Sequence, residues 1–387
     1  MESTLNTNKN PKILILSASI GSGHLRAAEA IELAIKGLNP KAIIYNYDIL
    51  DFTNTAFRKI YTQTYLNLFN KAPHIWGYVY DLFNNQRSSK QKSDRLRILV
   101  EKLNLRSLLK ILKKETWDLV INTHFLPAEI IASLRYKKKI NIPHMIVTTD
   151  YETHRLWVTN PCEHYCTATE EGANYLNYWG VPQENISITG IPIHPFFNQH
   201  QDRALCLKSH NLTGNKPIIL QLAGGFGLGP IETIYKELLK IKIPLEIVVV
   251  VGKNESIKKK LDKIKEHPYH YTKIIGFTDK MHELMSIATI IVSKPGGLTI
   301  TESLANGIPI AIVNPVPGNE SRNCDFLLEN GAAIKINNIV TLHCKLTKLL
   351  ENKNKMNELK KNALTLAKPY AAFEIAQIAL KIAHGQS

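Results

Sequence analysis

Val292 to Asn323, VSKPGGLTITESLANGIPIAIVNPVPGNESRN, concentrates the residues best able to do chemistry. An apolar run, Thr289 to Val292, has the character of a buried strand and stops at Lys294-Pro295-Gly296-Gly297. A helical pattern starts at once, with Thr299 and Glu302 in its first turns. Glycines let backbone approach a ligand closely, and the free N–H groups and positive dipole end of a helix start suit a phosphate. Glu302, one helical turn past Thr299, can accept hydrogen bonds from a sugar diol. The order implies a nucleotide-sugar site; the plain alternative is an ordinary βα turn with a glycine cap.

A second loop, Ala223-Gly-Gly-Phe-Gly-Leu-Gly-Pro230, carries Gly224, Gly225, Gly227 and Gly229 within six positions, after a strand and before a helix. Backbone N–H groups brought close to a pyrophosphate explain that density. A third loop, Ser19-Ile-Gly-Ser-Gly-His24, follows the first strand. It is neither a P-loop nor a complete G-x-G-x-x-G, since Ala27 and Ala28 follow Arg26. Its distinctive member is His24, at a helix start where the dipole disfavours the imidazolium; an imidazole with an ordinary pKa of ~6.5 can act as a general base. The alternative is a first-turn residue that only bonds backbone. Asp150, after the strand His144 to Thr148, is placed to act as base, to orient His24 or to bind an acceptor hydroxyl; an N-cap role remains open.

Those loops need a scaffold of alternating strands and helices. Strands are expected at Lys12–Ser17, Ala42–Tyr47, Leu119–Asn122, His144–Thr148 and Ser187–Thr189, with a helix from His24 ended by Gly37. After Pro217 the pattern restarts with Ile218–Leu222, the helix Ile231–Lys240, and strands at Ile247–Val251, Lys273–Ile275, Thr289–Val292 and Ile310–Val313. The class is α/β: two doubly wound, Rossmann-like domains of parallel sheet, ligands at the carboxyl ends of the strands and a cleft between them. Boundaries are expected at 1–197 and 215–387, with a polar linker at 198–214. The last helix, 371–383, is expected to return to the first domain.

Bulk composition narrows the partners. The chain has 387 residues, 44% hydrophobic and 21% charged, as in soluble globular proteins. No run of ~18 apolar residues exists, and the polar start, MESTLNTNKN, lacks an apolar signal segment. Five cysteines and no such segment imply reduced thiols in the cytosol; Cys162-x3-Cys166 around His164 does not have the spacing of a common zinc pair. A net charge of +15 favours an anionic partner. Residues 57–115 hold thirteen basic and four acidic residues, a local +9. Phe57, Tyr61, Tyr65, Phe69, Trp76, Tyr78 and Tyr80 alternate with cations there, and Arg95 to Lys114 has the pattern of a basic amphipathic helix. The mixture fits an interfacial membrane segment over 57–114. Core packing under a solvated face, or RNA binding, are the other readings.

Taken in order, these motifs resemble family 28 glycosyltransferases of GT-B architecture, in the subgroup of monogalactosyldiacylglycerol synthases and processive diacylglycerol glucosyltransferases. The carriers are Ser19–His24, Thr149-Asp150 with His154 and Trp157, Gly190-Ile-Pro-Ile-His-Pro195, Gly224–Pro230, Gly276-Phe-Thr-Asp-Lys-Met281, Lys294–Glu302, and Pro317-Gly-Asn-Glu320 with Asn323. The resemblance covers nearly the whole chain. It implies inverting transfer of a hexose from a UDP-sugar to diacylglycerol or a similar lipid, by a cytoplasmic protein peripheral on the inner face of the cell membrane. The first domain would meet the acceptor and the second the UDP-hexose. His24 and Asp150 are the candidate catalytic residues. Gly23, Gly224, Gly225, Phe226, Gly227, Gly229, Phe277, Met281, Lys294, Gly296, Gly297, Thr299, Glu302, Asn319, Glu320 and Asn323 would bind the nucleotide-sugar. Glu302 would take the ribose hydroxyls and Gly224–Gly229 the pyrophosphate. No cofactor beyond the donor, no metal and no nucleic acid are expected. The sequence departs from the family's usual Gln at Asn319, which bears on sugar choice, and has His194 at an often basic position. Alternatives are N-acetylglucosamine transfer to a lipid-linked peptidoglycan precursor, a UDP-sugar epimerase, and a non-catalytic UDP-sugar sensor.

Overall fold

A computed structural model describes residues 10–54, 58–59, 73–85, 105–225, 227, 229–264 and 268–386. The chain divides into two compact units: residues 1–195 with 370–387, and residues 196–369. Unit 1 contains strands β1 (Lys12–Ser17), β2 (Ile43–Asp48), β3 (Leu119–Asn122), β4 (His144–Val147), β5 (His164–Thr167) and β6 (Ile186–Ile188). Its helices are α1 (Ser22–Leu38), α2 (Pro73–Asn85), α3 (Arg106–Lys114), α4 (Phe125–Tyr136) and α5 (Glu170–Tyr178). Unit 2 contains β7 (Ile218–Leu222), β8 (Glu246–Val250), β9 (Tyr271–Ile275), β10 (Ile290–Ser293), β11 (Ile310–Val313) and β12 (Ala333–Ile336). Its helices are α6 (Arg203–Ser209), α7 (Ile231–Leu238), α8 (Glu255–Leu261), α9 (Met281–Ile287), α10 (Gly297–Ala305), α11 (Asn319–Glu329), α12 (Leu342–Glu351) and α13 (Lys353–Leu366); α14 (Ala371–Ala383) belongs to unit 1.

Each unit holds one six-stranded parallel sheet, ordered β2-β1-β3-β4-β5-β6 in unit 1 and β12-β11-β10-β7-β8-β9 in unit 2. The first strand shows why. Along β1 every residue after Lys12 is buried, because helices cover both faces. Ile13 and Ile15 pack with α1 and α14, through Ile31, Ile35, Ile375 and Leu380. Leu14 and Leu16, one residue out of phase, pack on the opposite face with Leu108, Leu112 and Ile130 of α3 and α4. Helix α14 presents Ala372, Ala376, Ala379 and Ala383 to this core, an apolar stripe at helical spacing.

Several details differ from the sequence expectation. Helix α1 is not ended by Gly37 but runs to Leu38, where the Asn39 N–H bonds Ile35 O at 2.7 Å. Strands β5 and β12 were absent from the reading, since HYCT and AIKI are four-residue segments with polar members and no clear period. The polar stretch 198–214 contains α6, capped by the Asp202 carboxylate and tied to α9 by Arg203 Nη1 donating to Ile287 O at 3.0 Å. Of the proposed amphipathic helix, residues 95–104 lie outside the described part. The remainder, α3, turns Leu108 and Leu112 into the core and Arg106, Lys110, Lys113 and Lys114 outward. Burying a leucine stabilises by roughly 1.5–3 kcal/mol, more than one cation gains near an anionic surface. The apolar face of α3 is therefore taken by its own protein, and only its cationic face is available. Phe57, Tyr61, Tyr65, Phe69 and the Trp76 side chain also lie outside the described part, whereas Ile75 and Tyr78 on α2 are exposed.

Candidate active site

In unit 1 the chain leaves β1 for β2 on one side and reaches β3 on the other, so the strand order reverses between β1 and β3. Ligands in open α/β sheets bind at the carboxyl ends of the strands at such a switch point. His24, third residue of α1, sits there half-buried. Its Nδ1 lies 3.0 Å from Thr123 O, just past β3, and 2.9 Å from Thr149 Oγ1, just past β4. A carbonyl only accepts, so Nδ1 carries the proton and Nε2 keeps its lone pair. Thr123 Oγ1 in turn donates to His24 O at 3.0 Å. The tautomer left at Nε2 is that of a general base.

The surroundings keep His24 neutral. Burial lowers its pKa; the Asp150 charge and the Thr123 carbonyl oppose that shift. Desolvation thus exceeds the charge partner, and it accounts for the neutrality that the sequence reading assigned to the helix dipole. His124 stacks edge-on at 4.6 Å and is held neutral by burial, its Nδ1 accepting from Leu126 N as the cap of α4. Trp157 lies 6.4 Å from the His24 ring. His154 donates from Nε2 to Tyr80 O at 2.9 Å and caps the Arg155–Trp157 turn, so it anchors α2. Thr123 and His124 escaped the sequence reading because nothing in the sequence says that β3 is the neighbour of β1. Asp48, at the end of β2, was also missed; its Oδ1 accepts from Ser19 N and Leu50 N and shapes the loop before Gly23.

Unit 2 reverses between β7 and β10. The two motifs read independently from the sequence, Gly224–Gly229 after β7 and Lys294–Gly297 after β10, meet at this point. A side-chain carbon at Gly229 would lie 3.9 Å from Lys294 Nζ. Gly224 and Gly296 have open space where a side chain would begin, so their backbone is approachable. Gly227 has a different reason: its φ is +62°, and a side chain would run into Val251 O and Asn254. Asn254 Nδ2 also donates to Gly227 O at 2.8 Å. Part of the glycine density therefore serves packing against the β8–α8 loop, whose Gly252 and Asn254 the sequence reading did not single out. Gly225 is half-buried in this loop, and Phe226 lies outside the described residues.

Gly296 caps α10, Gly297 is its first residue, Thr299 is half-exposed in its first turn, and Glu302 is buried in its second. Asn323 is buried and donates from Nδ2 to Pro295 O at 3.1 Å, tying α11 to the Lys294–Gly297 turn. Glu320 accepts from Val316 N at 2.8 Å and so shapes the loop before α11, whose first residue is Asn319. Phe277 is exposed, with Lys253 Nζ 5.7 Å from its ring centre, and Met281 opens α9. Among the described residues no group of three or more His, Cys, Asp or Glu could hold a metal ion.

Residues 24–193 match the family described as monogalactosyldiacylglycerol (MGDG) synthase, and residues 208–365 match glycosyl transferases group 1. A processive diacylglycerol beta-glucosyltransferase of Bacillus licheniformis is 30% identical over 365 residues, covering 94% of this chain and 92% of that protein. The chain belongs to this glycosyltransferase family. The Bacillus cytotoxicus member is 28% identical over 382 residues, with 98% and 96% covered. In three dimensions, Acinetobacter baumannii MurG superposes with a TM-score of 0.60 at 15% identity, covering 96% of this chain and 99% of that one. Staphylococcus aureus MnaA, solved with UDP, gives 0.61 at 12% identity, with 97% and 98% covered. At such identities these two establish the architecture, GT-B, and nothing finer. No helix among the described residues of this glycosyltransferase is long and apolar enough to cross a membrane.

Proposed function

We propose that this chain transfers glucose from UDP-glucose to the free hydroxyl of diacylglycerol, with inversion, as a peripheral protein on the inner face of the cell membrane. The observation that carries the reading is the meeting of the glycine loop and Lys294 at the switch point of unit 2. Backbone N–H groups at Gly224 and Gly225, the start of α10 and the Lys294 ammonium form an anion-holding set for the diphosphate. Glu302 takes the ribose hydroxyls, and Phe277 offers an exposed ring for the uracil. Asn319 meets the sugar. Asn323 and Glu320 hold the loops that carry these groups.

In unit 1, His24 Nε2 accepts the proton of the acceptor hydroxyl, whose oxygen attacks the anomeric carbon as the bond to UDP breaks. The charge that develops on the departing diphosphate meets the donors of unit 2, which are in place before the reaction. Asp150 steadies the imidazolium as it forms. The cations of α3 and the exposed Ile75 and Tyr78 of α2 are the described part of a segment, 57–114, proposed to meet an anionic membrane surface. Nucleic acid is not part of this reading.

The test is mass analysis of lipids formed by the purified protein on diacylglycerol vesicles with UDP-glucose, UDP-galactose and UDP-N-acetylglucosamine. A monoglucosyl product, extended on longer incubation, is expected with UDP-glucose. Absence of glycolipid with every donor, while UDP still binds, would turn the reading toward a sensor.

A further inference from the structure

Away from both switch points, unit 2 carries a cysteine, a histidine and a carboxylate in series. Cys344 Sγ lies 3.1 Å from His343 Nε2, and His343 Nδ1 lies 2.9 Å from Glu237 Oε2. Cys344 is exposed, His343 half-buried and Glu237 buried. The carboxylate accepts, so the imidazole proton stays on Nδ1 and the Nε2 lone pair faces the thiol. A nucleophile, a base within reach and a third group orienting the base are the ingredients of an activated nucleophile. Cys344 is also the third residue of the ten-residue helix α12, where first-turn N–H groups favour developing negative charge. Lysines lie along the series: Lys240, just past α7 and 2.5 Å from Glu237 Oε1; Lys345, whose Nζ donates to Lys335 O; and Lys348, one helical turn beyond Cys344. The other thiols differ: Cys166, Cys206 and Cys324 are buried, and burial raises the Cys162 and Cys166 thiols, the latter to about 12.

We propose that Cys344 is a site of S-thiolation, a nucleophilic thiol that exchanges with small anionic disulfides. His343 Nε2 takes the S–H proton, and the Cys344 sulfur attacks one sulfur of the disulfide. The old S–S bond breaks as the new one forms. The departing thiolate then recovers the proton from His343. Cys344 and one half of the disulfide are joined, the other half leaves as a thiol, and no oxidant beyond the disulfide is consumed. Lys345 and Lys348 favour an anionic disulfide over a neutral one.

The experiment treats the full-length protein with glutathione disulfide and follows mixed-disulfide formation at each cysteine by peptide mapping. Cys344 is expected to react first, faster than the same residue in the urea-unfolded chain. His343→Gln should slow it about tenfold or more, as loss of a proton acceptor does. Glu237→Gln should slow it less; because Glu237 is buried, its variant is read only if its thermal unfolding matches the parent. His343 is partly exposed, so its replacement tests the idea even if the Glu237 variant fails to fold. Equal rates in parent and His343→Gln, or no advantage over the unfolded chain, would show an ordinary surface cysteine and overturn the proposal.

Discussion

The switch points of the two units solve different problems with the same sheet architecture. In unit 1 the position past β1 is filled by an ionisable side chain, His24, whose proton is pinned by a carbonyl from the neighbouring strand end. In unit 2 the equivalent position past β7 is filled by glycines, and Lys294 from the neighbouring strand end brings a positive charge to it. A base needs one nitrogen fixed and the other open, and in unit 1 the Nδ1 of His24, the proposed base, is fixed by Thr123 O and Thr149 Oγ1. A diphosphate, the proposed ligand of unit 2, needs many weak donors at short range, and the backbone at Gly224 has open space beside it. The contrast teaches that strand order decides where a ligand goes, and the residues at the reversal decide whether it is held or transformed.

The largest expected effect breaks the comparison on the unit 1 side. His24→Ala should lower turnover by roughly 10²–10⁴ while leaving UDP affinity within about twofold; calorimetric titration with UDP checks the second half. A parallel loss of UDP binding would mean that His24 serves the donor instead. Next comes Lys294→Ala, which should weaken UDP binding by roughly ten- to a hundredfold, the worth of a charge-assisted contact. If instead turnover fell with affinity intact, the division between holding and transforming would fail.

Smaller effects sharpen the picture of His24. Burial lowers its pKa, so the base stays unprotonated as pH falls through 6.5, and the acid limb of turnover should have its midpoint below that value. Asp150 opposes the shift, so Asp150→Asn should move the midpoint lower still while retaining measurable turnover. Abolished turnover in that variant would make Asp150 the base. Thr149→Val removes one partner of Nδ1 and should cost about fivefold in turnover, with affinity for UDP unchanged.

Unit 1 should also lose stability in acid. His144, buried at the start of β4, has its pKa lowered to about 4, chiefly by desolvation. Below pH 6.5 the unfolded chain takes up this proton and the folded one does not, so the stability of unit 1 declines from pH 6.5 down to about 4. All four tryptophans (Trp76, Trp117, Trp157 and Trp179) fall in unit 1, so their fluorescence reports its unfolding. A midpoint temperature from tryptophan emission that is flat across this window would sink the prediction.

Much of this was legible in the residue order. Period and punctuation marked the strands Ile218–Leu222 and Ile310–Val313 and the last helix, because apolar runs bounded by glycine and proline leave few choices. The glycine loop, Lys294–Glu302 and His24 stood out because few structural needs explain them. What stayed hidden depends on neighbours distant in the chain. Thr123 and His124 matter only because β3 lies beside β1. Asn323 supports the Lys294 turn across 28 positions of sequence. Leu108 and Leu112 look as fit for a membrane as for a core until the sheet claims them.

The sequence by itself determined the class of fold, the alternation that makes parallel sheets, and the residue types able to hold a phosphate or take a proton, since these follow from local periodicity and side-chain chemistry. Only the tertiary structure decided which nitrogen of His24 is open, why that ring is neutral, and that the glycine loop and Lys294 share one point. Those outcomes rest on burial and on strand order, which arise only when segments far apart in the chain desolvate one another.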